Sequence, residues 1–184
     1  MRVRGAEIGL LSWGDLGTRP IVFVHGGAAH AWWWSFTAPL LADRAHVVAL
    51  DMSGHGTSDR HDSYDFDTWV DEVLGVALSL PGPRPIIVGH SLGGVVVSHL
   101  GNRRETDELG GLVVVDSPLR PDEIGGQGPA FETSLARPRT YPDKAAAVAA
   151  FRLRPRQPIQ VPELVAFIAE KSVEPARWRL DVAI

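Results

Sequence analysis

Four short runs of β-branched and aliphatic residues punctuate the chain: Ile21–Val24, Val47–Leu50, Ile86–Val88 and Leu112–Val115. Each is apolar throughout instead of alternating, the pattern of strands in a parallel sheet covered on both faces. Gly, Pro or Asp brackets each run, which is turn chemistry. Glu7–Trp13 is a weaker strand expectation, at an N-terminal edge. Between the runs the spacing is helical. Val70, Val73, Leu74, Ala77 and Leu78 fall on one helix face. Asp65 or Asp67 can cap that helix, and Pro81-Gly82-Pro83 ends it. A second helix is expected from about Leu92 to Arg103; Val95, Val96, Val97 and Leu100 make it apolar on most sides, so it packs on the sheet. A shorter helix is expected over Trp34–Ala42. Strand alternating with helix implies an α/β fold, a mostly parallel sheet with flanking helices and right-handed crossovers.

The character changes after Asp116. Pro118, Pro121, Pro129, Pro138, Pro142, Pro155 and Pro158 and the Gly125–Gly126 pair break the segment up. Helical stretches over Lys144–Arg152 and Glu163–Lys171 follow, with no clear strand. Residues 1–118 therefore read as the core and 119–184 as a helical cap over the sheet edge.

With 184 residues, the chain has room for a substantial buried core. It is 45% hydrophobic and 22% charged, a globular balance. The net charge of −4 gives no footprint for nucleic acid or an anionic membrane, and neither is expected as a partner. There is no Cys, which excludes disulfides, thiolate metal sites and a Cys nucleophile. No apolar run has membrane-spanning length, and Met1–Leu10 lacks a signal-peptide core. A cytoplasmic location is the expectation. No His pair has helical i, i+4 spacing, so no metal site is expected, and no dinucleotide or phosphate-loop glycine pattern is present.

The chemistry lies where Ile86–Val88 runs into Gly89-His90-Ser91-Leu92-Gly93-Gly94 and then a helix. A Ser on so sharp a strand-to-helix turn is held in a strained conformation with its hydroxyl exposed above the sheet, and glycines on either side give the turn space. The helix N-terminus directs free N–H groups at the same point, where they stabilise negative charge. Ile21–Val24 leads into His25-Gly26-Gly27, so Gly27 N–H is the expected partner of Leu92 N–H in an oxyanion hole. Val47–Leu50 leads into a polar loop, Asp51 to Asp59.

His25-Gly26-Gly27, then Asp51-x-x-Gly54-His55-Gly56-x-Ser58, then Gly89-His90-Ser91-Leu92-Gly93-Gly94 resemble the α/β-hydrolase superfamily in order and spacing over residues 7–118. Phe151-Arg152-Leu153 through Pro158 to Trp178-Arg179 resembles, less specifically, the cap of one bacterial branch. The resemblance implies a cofactor-independent mechanism. Ser91 attacks an acyl carbon of a carboxylic ester or related small acyl substrate, a His takes its proton, and an acid orients the His. A Ser at the elbow argues against the family's Asp-nucleophile dehalogenases and epoxide hydrolases.

The family order is Ser, acid, His. The seven histidines are His25, His30, His46, His55, His61, His90 and His99, and none follows Ser91 in a suitable place. A full member would run on for about 100 residues. The chain therefore reads as the N-terminal part of a serine hydrolase, and its exposed sheet edge is expected to drive self-association. A catalytically incomplete fragment or binding module without a base stays open. So do haloperoxidase, C–C hydrolase, thioesterase and acyltransferase chemistries on the same elbow. Asp116, at the carboxyl end of the fourth run, is either the acid or a residue that orders the loop to Pro118.

Other polar residues have plainer expectations. His25 orders the oxyanion loop, and His90 points away from Ser91. His55 and His61 are solvated, and Asp51 and Asp59 order their loop. Trp32, Trp33 and Trp34 cannot all face one core; at least one, with Trp32, Trp33, His25 and His90 as substrate-pocket candidates, lines the pocket or packs under the cap, or else all anchor the first helix. Arg152, Arg154 and Arg156 form a solvated face.

Overall fold

The computed structural model describes residues 1–117, 140–153, 158–174 and 179–180. Its strands are β1 (Arg2–Val3), β2 (Ala6–Glu7), β3 (Leu10–Trp13), β4 (Pro20–Val24), β5 (His46–Leu50), β6 (Ile86–His90), β7 (Gly111–Val115), β8 (Val173–Glu174) and β9 (Arg179–Leu180). The helices are α1 (Phe66–Ser79), α2 (Leu92–Leu100), α3 (Lys144–Ala150) and α4 (Pro162–Lys171). The main sheet has the order β3-β5-β4-β6-β7, with β3 antiparallel and the rest parallel. β4 is central: Val22 lies beside Val48 on β5 and Ile87 on β6. The chain leaves β4 toward β5 on one side and returns past it to β6 on the other. Such a reversal of strand order opens a crevice at the carboxyl ends, where ligands bind in open α/β sheets.

Both faces of the sheet centre are covered, as the unbroken apolar runs require. On one face α1 and α2 bring Val70, Val73, Val96, Val97 and Leu100 onto Val22, Val24, Val48 and Ile87. On the other, Ala31, Ala38 and Trp34 pack on Phe23, Val47 and Ala49. β7 departs from two-sided burial: Leu112 and Val114 join the core, whereas Val113 and Val115 are 44% and 41% exposed. Asp65 caps α1, accepting Thr68 N–H at 2.6 Å, and hydrogen bonding from the Thr68 side chain, with that backbone bond, holds its carboxyl below the ordinary range.

Several boundaries differ from the sequence expectation. Trp34–Ala42 is not an α-helix but part of two 3-10 helices, Ala31–Phe36 and Ala38–Leu41. Pro39 lacks the N–H that a continuous α-helix would use there. α2 ends at Leu100 with Gly101 as its C-cap, short of Arg103. The edge-strand expectation of Glu7–Trp13 splits between β2 and β3. α3 and α4 occupy the two expected helical stretches, and Phe151, Ile168 and Ala169 form a separate small core. That part also holds a two-residue antiparallel pair, β8 with β9, which the sequence did not suggest. Pro118, Pro121, Pro129, Pro138, Gly125–Gly126, Arg154, Arg156, Pro155 and Trp178 lie outside the described residues. Among the described residues no helix is long and apolar enough to cross a membrane.

Candidate active site

β6 delivers Ser91 to the carboxyl edge of the sheet with φ 52° and ψ −118°, a left-handed backbone that a Ser adopts only when its surroundings force it. Those surroundings are specific. Ser91 N–H donates to the Val115 carbonyl at 3.1 Å, and the Ser91 carbonyl accepts the Ser117 hydroxyl at 2.9 Å and the Val95 N–H at 3.1 Å. The glycines are required by contact. A Cβ on Gly93 would sit 2.5 Å from the carbonyl oxygens of Val24 and His25, and one on Gly89 would collide with the Gly93 carbonyl. α2 thus starts hard against the exit of β4. Leu92 is its first residue, where an N–H has no intrahelical acceptor.

The β4 exit forms an arch clamped at both ends. His25 is buried; its Nδ1–H donates to the Gly26 carbonyl at 2.7 Å and its Nε2 accepts Met52 N–H at 3.1 Å. Ala29 N–H returns to the Gly26 carbonyl, and Ala28 takes φ 57°. Ala31 N–H then donates to Asp51 Oδ1 at 2.6 Å. Gly27, half-buried, lies in the span of the arch. Gly26 faces the elbow: a Cβ there would lie 3.1 Å from His90 Nδ1 and 3.2 Å from the Ser91 Cβ. The His90 ring therefore rests beside the arch. Asp116, on the next strand exit, is exposed with φ 47°, adjacent to the elbow through the Ser91–Val115 bond. Ser91, Leu92, Gly27, His25, His90 and Asp116 are gathered at one edge of the sheet.

The tryptophans separate. Trp34 stacks on Phe23 at 4.3 Å, in the core. Trp32 meets Phe167 of α4 edge-on at 5.8 Å with Lys171 Nζ over its ring at 4.1 Å, so it packs under the helical segment. Trp33 is 37% exposed and makes no ring contact among the described residues.

Asp51 and Asp59 hold loops, as expected. Asp51 gathers Ala31 N–H, Thr57 N–H and the Thr57 hydroxyl, and Asp59 accepts Glu7 N–H. His55 corrects the expectation of a solvated residue. It is buried, 4.8 Å from the His25 ring, because its loop folds inward over Trp69, whose Nε1–H donates to the Ser53 carbonyl. His61 is half-buried and meets the fully buried Glu72 carboxylate at 3.3 Å. Burial pushes His25 and His30 down to about 4, against the opposing pull of Asp51. Burial, reinforced by His25, pushes His55 down to about 3. These three rings are neutral at pH 7.

No histidine nitrogen pairs with the Ser91 hydroxyl among the described residues. His46 bonds Ser12, His99 bonds the Val95 carbonyl, and His30 bonds Ser172. Sequence reasoning missed Ser117 and Ser172. Ser117 carried no motif, and Ser172 lies 142 residues from its partner. Among the described residues no cluster of three His, Asp or Glu is arranged to hold a metal ion.

The model of the Alpha/beta hydrolase family matches residues 21–183. The chain is 34% identical over 99 residues to the human Serine hydrolase-like protein, covering 52% of this chain and 49% of that one. It is 31% identical over 115 residues to the Non-heme chloroperoxidase CPO-A1 of Kitasatospora aureofaciens, covering 61% and 41%. Its structure is similar to the thioesterase domain from the curacin biosynthetic pathway, with a TM-score of 0.80 and 25% identity over 99% of this chain and 68% of that one. The matches span about half or less of these curated relatives' own length.

Proposed function

The chain belongs to the alpha/beta hydrolase family, and on that premise we propose that it carries the nucleophile half of a serine hydrolase acting on a carboxylic ester or related acyl compound. The observation that carries the reading is Ser91, held at φ 52° on a strand-to-helix turn with the Gly26–Gly27 arch against it. Ser91 Oγ attacks the acyl carbon and its proton passes to a base. The carbonyl oxygen becomes an oxyanion facing Gly27 N–H and Leu92 N–H, each such donor contributing about 3 kcal/mol to the transition state. Collapse expels the alcohol or thiol, and water releases the acyl group. Asp116 is the acid of this reading, from the strand beside the nucleophile. The likeness to a thioesterase domain and to a serine hydrolase-like protein supports acyl chemistry.

A second reading, a binding module that keeps the pocket without the base, is favoured by one observation: the described residues pair no histidine with Ser91. Intact mass spectrometry after a fluorophosphonate probe tests the nucleophile, and turnover of an unactivated ester tests the base. One adduct, absent in Ser91→Ala, together with ester turnover supports the hydrolase. An adduct without turnover favours the binding module, and no adduct on a folded chain overturns the nucleophile.

A further inference from the structure

We propose that His30 is a positioning residue through which α4 holds the oxyanion arch; this rests on the reading of Ser91 and Gly27 given above. His30 is 1% exposed and closes the arch as the N-cap of the 3-10 helix Ala31–Phe36. Its Nε2 lies 2.8 Å from the hydroxyl of Ser172, the C-cap of α4. That hydroxyl already donates to the Ile168 carbonyl at 2.7 Å, so it accepts from His30 Nε2–H. The tautomer follows: the proton is on Nε2, and Nδ1 is bare and has no partner among the described residues. The bond is buried at both ends, Ser172 being 2% exposed. The seam around it is aromatic. Trp32 and Phe36 flank the arch side and both meet Phe167 of α4 edge-on, at 5.8 and 5.4 Å.

The arch therefore has three holds: His25 on Met52 and Gly26, Ala31 on Asp51, and His30 on Ser172. The first two come from the sheet, and the third comes from the helical segment. Where α4 sits thus sets where Gly27 N–H points, and a displacement of α4 by a ligand is carried into the donor that faces the oxyanion. Buried directional bonds transmit such shifts because the packed seam has little slack.

The test is amide hydrogen exchange by NMR on the full 184-residue chain, with Val22 and Val48 at the sheet centre as the reference for global stability. Ser172→Ala leaves a buried N–H without an acceptor. Exchange at Ala29 and Ala31, whose N–H groups bond within the arch, is expected to quicken about tenfold while Val22 and Val48 hold. His30→Leu does the same, and the double variant is no faster than either single one. His30→Gln, which keeps a donor at that reach, stays within about twofold of the unmodified chain. In the unmodified chain the His30 ring signals report a protonated Nε2; the opposite tautomer overturns the proposal without any variant. Unchanged exchange at Ala29 and Ala31 in Ser172→Ala also overturns it, as does quickening shared equally by the sheet centre. The fluorophosphonate labelling rate of Ser91 is read in the same variants and falls with the arch. If the unmodified chain takes no label, the acyl-enzyme reading fails, while exchange still decides the His30 link.

Discussion

Gly93→Ala sets two effects against each other in adjacent atoms. Gly93 is the second residue of α2, and Ala in a helix is favoured over Gly by about 1 kcal/mol. The added Cβ would lie 2.5 Å from the carbonyl oxygens of Val24 and His25 and 2.8 Å from the Val24 carbonyl carbon. All three are backbone atoms at the exit of β4, which is hydrogen-bonded on both sides by β5 and β6 and has nowhere to go. Overpacking costs about 1–3 kcal/mol, and three rigid contacts at once place this site at the upper end, so the net loss is about 2 kcal/mol. Gly101→Ala is the control. Gly101 has a helical φ of −56°, and its added Cβ would meet the Ser98 carbonyl oxygen at 3.2 Å and the end of the Leu112 side chain at 3.6 Å. A shift of a few tenths of an ångström relieves the tighter contact, so the change is close to neutral. Urea unfolding followed by Trp fluorescence should rank Gly93→Ala about 2 kcal/mol below Gly101→Ala at a common m-value. Equal stability, or Gly93→Ala the more stable, refutes the claim that α2 is pressed onto the β4 exit.

Asp51→Ala removes the acceptor of Ala31 N–H, Thr57 N–H and the Thr57 hydroxyl together, a loss of about 4 kcal/mol by urea unfolding; a loss below about 1 kcal/mol denies it a role in holding the arch. The fold should weaken in mild acid. His25, His30 and His55 stay neutral when folded and bind protons when unfolded below about pH 6.5, so the stability they contribute is complete above that pH and is lost as pH falls toward 4. From pH 7 to 5.5 the loss is about 1 kcal/mol per ring, and a flat urea midpoint over that range would show the rings to be solvated. Val113 and Val115 stand exposed on β7, an edge strand among the described residues, and we predict that the chain self-associates. Light scattering should report a smaller species for Val113→Lys/Val115→Lys; a monomer without the change sinks the idea.

The readable parts of this fold were those with local causes. β4, β5, β6 and the cap of α1 follow from unbroken apolar runs and from Asp65, and each lies within a residue or two of its expected place. The elbow was equally legible, because its Gly-x-Ser-x-Gly spacing is local, although Gly93 is required by the distant carbonyls of Val24 and His25. What stayed hidden depends on long-range packing. The exposed face of β7 looks in sequence like that of any buried strand. His55 sits in a polar stretch, and only its fold over Trp69 and against His25 buries it. Trp32, Trp33 and Trp34 are adjacent in the chain, yet they go to the α4 seam, to solvent and to the core, a division no local pattern encodes.

The chemistry at Ser91 turns on where its proton goes. A serine hydroxyl is a weak nucleophile until a base draws on it. Six of the seven histidines are committed elsewhere by hydrogen bonds, and three of those are held neutral well below the ordinary range by burial. His90 makes no hydrogen bond among the described residues, and its ring lies beside the arch at Gly26. On the function proposed above, an elbow with oxyanion donors and no base would retain about 10³–10⁴-fold acceleration over water. This 184-residue chain should therefore react with strongly activated acyl or phosphonyl probes whose leaving group needs no proton, and only slowly. The labelling rate at Ser91 should climb steadily with pH, without the inflection near 6.5 that an imidazole base would impose. An inflection there that disappears in His90→Gln would refute this, and would make the residue beside the nucleophile its base.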